Sequence, residues 1–371
     1  MNLDYLKRLT EAEQRALREH HFDPQIFDRL WTRYRTGEWT TADNQVRAHV
    51  EAPGAGEVPA LPARESAEGE RLQRIGEEAL RRGEVGALVL NGGMATRFGG
   101  AVKGCVDVFE GRSFLSLKLQ DARRYGDRVP VLLMNSFATD ELTWEHLARE
   151  DCFGFPRENL LTYTQNVSLR LTPEGELFAP GQGDTLYAPG HGDVAEATRR
   201  GALGEFRLRG GKYLLMSNVD NLLATLDPLV VGFHIQGVEE EGVEMTAEVV
   251  DNQGSATGGM PARVDGSLQI LEAFRFPRGF DVAAIPVYNT NTFLFSADAL
   301  DRDFDLDWFV VEKEVEAAPA IQFERLAGQL SAFLKTRFVQ VPRVGMASRF
   351  LPIKHREELE ANRAFLRRRL L

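Results

Sequence analysis

The chain has 371 residues, 43% of them apolar and 27% charged, with 44 Lys and Arg against 55 Asp and Glu for a formal net charge of -11 at pH 7. Such a composition belongs to a folded chain with room for one large α/β unit and additions, not to a disordered one. The acidic balance argues against long nucleic acid as the principal partner but leaves small phosphates open, because a closed site needs only a few local cations. Two cysteines, Cys105 and Cys152, form neither a CxxC pair nor a disulfide framework, so a reducing cytoplasm is the expected setting. An N-terminal export segment and an apolar run of roughly 18 residues are both missing, which sets the expectation of no membrane partner.

In chain order, residues 1 to about 82 are mostly helical in pattern. Thr10 and Glu13 fit a capping box, Phe22, Ile26, Leu30 and Tyr34 recur at helical spacing, and a further helix is predicted over 67–82. Residues 51–59 read as a linker or an extended crossing. From Val85 the pattern changes. Strands are predicted at 85–90, 129–134, 160–163, 213–216 and 245–250, with helices at 114–124, 141–149, 193–200 and 227–234. This alternation predicts a largely parallel sheet sheathed by helices, with ligands beyond the carboxyl ends of the strands. Residues 254–292 are richer in turns and read as antiparallel, with reversals at Gly258-Gly259 and Asp265-Gly266 and a strand at 268–274. Helices are predicted at 301–316 and 322–336, a strand at 337–341, and a charged helical tail whose simplest state is solvated.

The strand at Val85 ends in a turn containing Gly92, Gly93, Arg97, Gly99, Gly100 and Lys103. Glycines let backbone N–H groups approach an anion, and the two basic residues add full charge, so the turn suits a nucleoside triphosphate. A tight surface turn with two solvated cations is the competing reading. Arg349 and Lys354 are further cations in suggestive places. Polar clusters at Asn135-Ser136, Pro189 to Asp193 and Ser217 to Asn221 also fall at strand or helix ends. Each could instead be a turn or helix cap.

The segments LNGGMATRFGG with KG, VPVLLMNSF, PGHGD, KYLLMSNVDN, YNTN and RFLPIK occur in one order between Gly86 and Lys354. In this the chain resembles the UDP-sugar pyrophosphorylase superfamily, and within it the eukaryotic-like UTP-glucose-1-phosphate uridylyltransferases. The resemblance implies a nucleotide-diphospho-sugar transferase (Rossmann-like) α/β fold: a mixed sheet flanked by helices, with an N-terminal helical extension and a short C-terminal tail. It divides the chain into a helical region (1–82), a catalytic nucleotide- and sugar-binding domain (83–345) and a phosphate-contacting segment with helical tail (346–371). The implied reaction joins UTP and a hexose-1-phosphate, glucose first, to give UDP-sugar and pyrophosphate with Mg²⁺.

Carried over residue by residue, the resemblance assigns Arg97, Lys103, His191 and Lys354 to the reacting phosphates. It assigns Gly92, Gly93, Gln165 and Gly190 to the nucleotide, Asn218, Gly259, Glu272 and Asn291 to the sugar, and Asp220 to Mg²⁺. The chain departs from the family in having Ala95 where Gly is usual and NTNTFLF where NTNNLW is usual. It also stops soon after Lys354, which implies no C-terminal β-helical domain. N-acetylhexosamine-1-phosphate or several sugar phosphates are alternative substrates. A glycosyltransferase using UDP-sugar and a non-catalytic nucleotide-sugar sensor or scaffold are more distant alternatives. Monomer and homo-oligomer stay equally open.

Overall fold

The computed structural model describes residues 4–95, 100–178, 185–252 and 258–371. Among them the main sheet has seven strands: β1 (Val85–Leu90), β2 (Val131–Asn135), β3 (Leu160–Thr164), β4 (Tyr213–Asn218), β5 (Met245–Asp251), β6 (Val287–Ser296) and β7 (Thr336–Gln340). Their spatial order is β7-β5-β6-β4-β1-β2-β3. The run β4-β1-β2-β3 is parallel, β6 lies antiparallel between β4 and β5, and β7 is parallel to β5. The sheet is therefore mixed, with its parallel half built from the alternating part of the sequence.

The helices are α1 (Glu11–Glu19), α2 (Pro24–Arg35), α3 (Ala67–Arg82), α4 (Phe114–Arg123), α5 (Asp140–Arg149), α6 (Pro228–Glu241) and α7 (Arg356–Leu370), with shorter helical turns between 194 and 208. Successive strand residues feed two cores. Leu88, Leu90, Leu132, Met134, Leu214 and Met216 pack toward the 194–208 turns, whereas Val85, Ala87, Val89, Val131, Leu133 and Leu215 pack toward α3, α4 and α6. Burial on both faces explains why β1 is apolar throughout. α3 and α6 cross at glycines. A Cβ on Gly76 would lie 1.9 Å from the Pro228 carbonyl oxygen, and one on Gly232 would lie 1.9 Å from that of Leu72.

The Thr10–Glu13 capping box forms, and α3 has the predicted bounds, capped by Ser66 and ended by Gly83 at φ 74°. The 51–59 stretch is a crossing interrupted by a turn, with Glu57 N–H donating to Gly54 O at 3.2 Å. Val50–Glu51 pairs with the Gly259–Val264 strand, and Gln340 then brackets Pro59 and Leu61 through backbone hydrogen bonds.

Five expectations are corrected, one of them only in its bounds. The stretches 301–316 and 322–336 are not helices: Phe309–Val315 and Ala318–Glu324 form an antiparallel hairpin, followed by a 3₁₀ segment at Ala327–Ala332. The hairpin places Val310, Ile321 and Phe323 in a core shared with Leu17, Phe27, Leu30 and Trp39 of the N-terminal region, and that packing outweighs local helical spacing. Gly259 is not in a reversal but opens the strand Gly259–Val264, whose hairpin turns at Asp265-Gly266. The strand expected at 268–274 ends at Glu272, and the tail is not solvated all round, because Leu359, Leu366 and Leu370 of α7 are buried. Among the described residues no helix is long and apolar enough to cross a membrane.

Candidate active site

The carboxyl ends of β1, β2, β3 and β4 lie along one edge, and the loops leaving them are tied together by side chains. Asn91, fully buried after β1, donates its backbone N–H to Met134 O on the neighbouring strand (2.8 Å), and its side-chain amide donates to Asn135 Oδ1 (2.8 Å) and Thr143 Oγ1 (3.0 Å). Ser136 Oγ donates to Gly92 O at 2.9 Å. A Cβ on Gly92 would sit 2.6 Å from Gln165 Oε1, so glycine here leaves the Gln165 carboxamide its place. The floor is thus fixed by hydrogen bonds between buried polar groups, with Asn91 Oδ1 left unpartnered among the described residues.

The Pro189–Asp193 loop closes one wall. Gly190 has φ 91°, and a Cβ there would lie 2.5 Å from Arg325 O. The loop and the Arg325 backbone exchange two bonds, Gly192 N–H to Arg325 O (2.9 Å) and Arg325 N–H to Pro189 O (2.8 Å). The Arg325 guanidinium stacks on Trp308 with its carbon 4.5 Å from the ring centre, and pairs with Asp193 and Glu196. Asp193 in turn accepts the Asn166 N–H at 3.1 Å. His191 Nδ1 accepts the Ala327 N–H at 3.0 Å, which leaves its proton on Nε2. Burial first, then the positive charges of Lys354 and Lys313, push the His191 pKa down to about 4. The imidazole is a neutral donor.

Lys103 and Lys354, distant in sequence, meet on one oxygen. Lys103 Nζ lies 2.9 Å and Lys354 Nζ 3.0 Å from Asp220 Oδ2. Asp220 follows β4 and is 6% exposed, and its other oxygen, Oδ1, is buried with no hydrogen-bond partner among the described residues. A cavity of about 310 Å³ opens at this point. Lys103, Asp220, Lys354 and His191 line it, as do Gly92, Gly93, Gln165, Gly190 and Asn218. Two ammonium groups, an N–H donor and a carboxylate oxygen facing glycine backbone suit a ligand with several anionic oxygens.

Of the four remaining predicted residues, Asn291, Gly259 and Glu272 do not line this cavity. Asn291, at φ 57° where β6 bulges against β5, donates its side-chain amide to Asn218 Oδ1 at 3.0 Å and its backbone N–H to Asn289 Oδ1 at 2.9 Å. Its Oδ1 is buried and unpartnered among the described residues. Gly259 pairs with Glu272 across the hairpin. Built Cβ atoms on Gly259 and Gly328 would stand 2.9 and 3.3 Å from Glu272 Oε1, so two glycines keep that carboxylate uncovered. Burial raises the Glu272 pKa to about 7 against the opposing pull of Arg275. Ala327 touches His191 and Gly328 faces Glu272, so one turn links the two groups.

Arg97 lies outside the described residues. Arg349 is not a free phosphate-facing cation. It is 1% exposed and bonded through both nitrogens of its fork to Glu248 (2.9 and 2.6 Å), with Asp227 at 3.4 Å. Arg325 and the Ala327 N–H were missed in the sequence, as was Lys118, whose buried ammonium holds Ser217 Oγ and the carbonyls of Asn221 and Ala224 at 2.8–3.0 Å. They act largely through backbone groups and sit in no distinctive local motif. A charge inside the mostly apolar run 114–119 was the one available signal for Lys118.

A family model described as UTP-glucose-1-phosphate uridylyltransferase matches residues 42–366. The chain belongs to that family. Among curated members, UTP-glucose-1-phosphate uridylyltransferase 2 of Dictyostelium discoideum is 30% identical over 319 residues, covering 77% of this chain and 59% of the relative. The uridylyltransferase of Hordeum vulgare is 29% identical over 293 residues, 73% of this chain and 60% of the relative. The chain thus spans about three fifths of the length of these uridylyltransferases. Solved structures share the fold: a UDP-N-acetylglucosamine pyrophosphorylase from Trypanosoma brucei (TM-score 0.70, 20% identity, 98% of this chain and 83% of that one) and a UDP-glucose pyrophosphorylase from Leishmania major (TM-score 0.71, 23% identity, 95% and 79%).

Proposed function

We propose that this protein is a uridylyltransferase that joins UTP and a hexose-1-phosphate, glucose-1-phosphate first, into UDP-sugar and pyrophosphate. One observation carries the reading: Lys103 and Lys354, far apart in the sequence, converge on Asp220 over a glycine-floored cavity at the carboxyl edge of parallel strands. Membership of the family supports the reaction class.

In this reading a phosphate oxygen of the sugar-1-phosphate attacks the α-phosphorus of UTP, a new P–O bond forms, and the bond to the bridging oxygen of the β-phosphate breaks. Pyrophosphate leaves with that electron pair. The nucleophile is already anionic near neutral pH, so no base is needed, and the protein's task is alignment and charge compensation. Lys103 and Lys354 reduce repulsion between the two polyanions, Arg97 being assigned beside them by resemblance. The neutral His191 donates Nε2–H to a phosphate oxygen without adding or taking a proton. Gln165 and the backbone at Gly92, Gly93 and Gly190 take the nucleotide, while Asn218, Gly259, Glu272 and Asn291 take the sugar hydroxyls.

Mg²⁺ fits this site as a phosphate-borne ion. Among the described residues no three His, Cys, Asp or Glu side chains cluster, but Asp220 Oδ1 is a buried, unpartnered carboxylate oxygen. That is the provision expected for a cation that keeps waters and phosphate oxygens and takes one or two carboxylates. When bound, the ion would supply charge neutralisation between phosphate oxygens.

A pyrophosphate-release screen tests the reading, with UTP, other nucleoside triphosphates, Mg²⁺ and a panel of hexose- and N-acetylhexosamine-1-phosphates. Release with UTP and at least one sugar phosphate is expected. Binding of UTP with no release across the panel would instead establish a sensor.

A further inference from the structure

The proposed reaction depends on Lys354 reaching Asp220, yet the ion pair at its tip leaves much of the lysine side chain open to solvent. It is 48% exposed, and a long exposed ammonium has many rotamers to choose from. What is fixed is the backbone beneath it. Asn221, next to Asp220 and 1% exposed, spans the gap to the C-terminal segment with both ends of its amide: Nδ2 donates to Arg349 O at 3.1 Å, and Oδ1 accepts the Leu351 N–H at 3.0 Å. Ile353 N–H then donates to Asp220 O at 3.2 Å. These bonds lay residues 349–353 along the 220–221 loop like an added strand, with Asn221 opposite Pro352. Lys354 follows directly. The loop is itself held from below, because the buried Lys118 ammonium binds the Asn221 carbonyl at 2.8 Å.

We infer that Asn221 is a positioning residue: its side-chain amide staples the C-terminal segment to the β4 loop, and so determines where the Lys354 ammonium stands relative to Asp220. Asn221 does not line the cavity and touches no reacting atom. Its contribution passes through Lys354, and this separates it from a residue that merely supports the fold. The inference rests on the role given to Lys354 above.

A double-mutant cycle with an independent chemical readout tests it. Asn221→Ala is expected to lower kcat about tenfold in the wild-type background with the KM for UTP little changed, a loss of the size that misplacing a catalytic group produces. In a Lys354→Ala background the same change is expected to cost less than about twofold, since the group it positions is gone. Competitive acetylation with limiting acetic anhydride, read by mass spectrometry at Lys354, is expected to rise severalfold in Asn221→Ala. Asn221→Ser, which keeps one hydroxyl, should fall between the two and serves if the alanine variant does not fold. Equal kcat losses in both backgrounds with unchanged Lys354 acetylation would overturn the inference. If the wild-type protein releases no pyrophosphate, the uridylyltransferase reading fails, while the acetylation ratio still decides whether Asn221 sets the exposure of Lys354.

Discussion

Asp220 carries two opposite obligations, since one oxygen holds two ammonium groups and the other, buried, holds nothing among the described residues. On the proposed chemistry the lysines are shared between Asp220 and the incoming phosphates. Lys103→Ala and Asp220→Ala are therefore each expected to lower kcat by roughly 10²–10³, the range for removing one preorganised electrostatic contact. Steady-state pyrophosphate release measures this, and thermal unfolding should show little loss of stability. Near wild-type turnover in either variant would count against its role. Glu272 offers a test independent of turnover. Its folded pKa of about 7 stands above its ordinary 4.5, so its contribution to stability is complete below pH 4.5 and is lost as pH rises through 7. Glu272→Gln should remove that loss and exceed the wild type in stability at pH 8, by on the order of 2 kcal/mol, but not at pH 4.5. Calorimetric Tm values across that range report it. His191 has the opposite sense: its folded pKa of about 4 lies below 6.5, so stability falls as pH drops from 6.5 toward 4. No inflection in kcat near pH 6.5 should trace to this ring.

At the level of elements, the α3–α6 crossing and the Arg349 ion pair place the site without touching it. Gly76→Ala would drive a methyl group to 1.9 Å from the Pro228 carbonyl, which the helices can relieve only by moving apart. Urea unfolding should show a loss of about 3 kcal/mol or the upper end of overpacking costs. Arg349→Ala leaves Glu248 buried and unpaired and is expected to cost about 3–5 kcal/mol by the same method. An element with a cap signal, such as the Thr10–Glu13 box of α1, an apolar period, such as α3, or an unbroken buried run, such as β1, was legible because a single local cause decides it. The 309–324 hairpin was not, because what makes it a hairpin is a core shared with residues 17–39, which no window along the chain contains.

Across the whole molecule, the parallel half of the sheet gathers into one edge the segments already singled out in the sequence: the β1 turn, Gln165, the Pro189–Asp193 loop, Asp220 and Lys354. Of these, the β1 turn, the Pro189–Asp193 loop, Asp220 and Lys354 stood out by glycines, polar clusters and charges at element ends, whereas Gln165 came only from the family resemblance. The supports were not legible, since Lys118 and Asn221 work on backbone carbonyls and amides, and Arg325 on the Asp193 carboxylate, all contributed by segments roughly 100 to 130 residues away, where the partner leaves no mark in composition. Arg349 was misplaced for the complementary reason, because a charge in a promising motif looks the same whether it faces a ligand or a buried carboxylate. The account converges on one arrangement, a triphosphate lying between Lys103 and Lys354 with its ion on Asp220. A crystal structure with UTP and Mg²⁺ bound tests it most directly. Phosphate oxygens within hydrogen-bonding distance of both lysine ammonium groups, with the ion on Asp220 Oδ1, are the predicted result, whereas a triphosphate seated elsewhere with the two lysines still paired to Asp220 would contradict it.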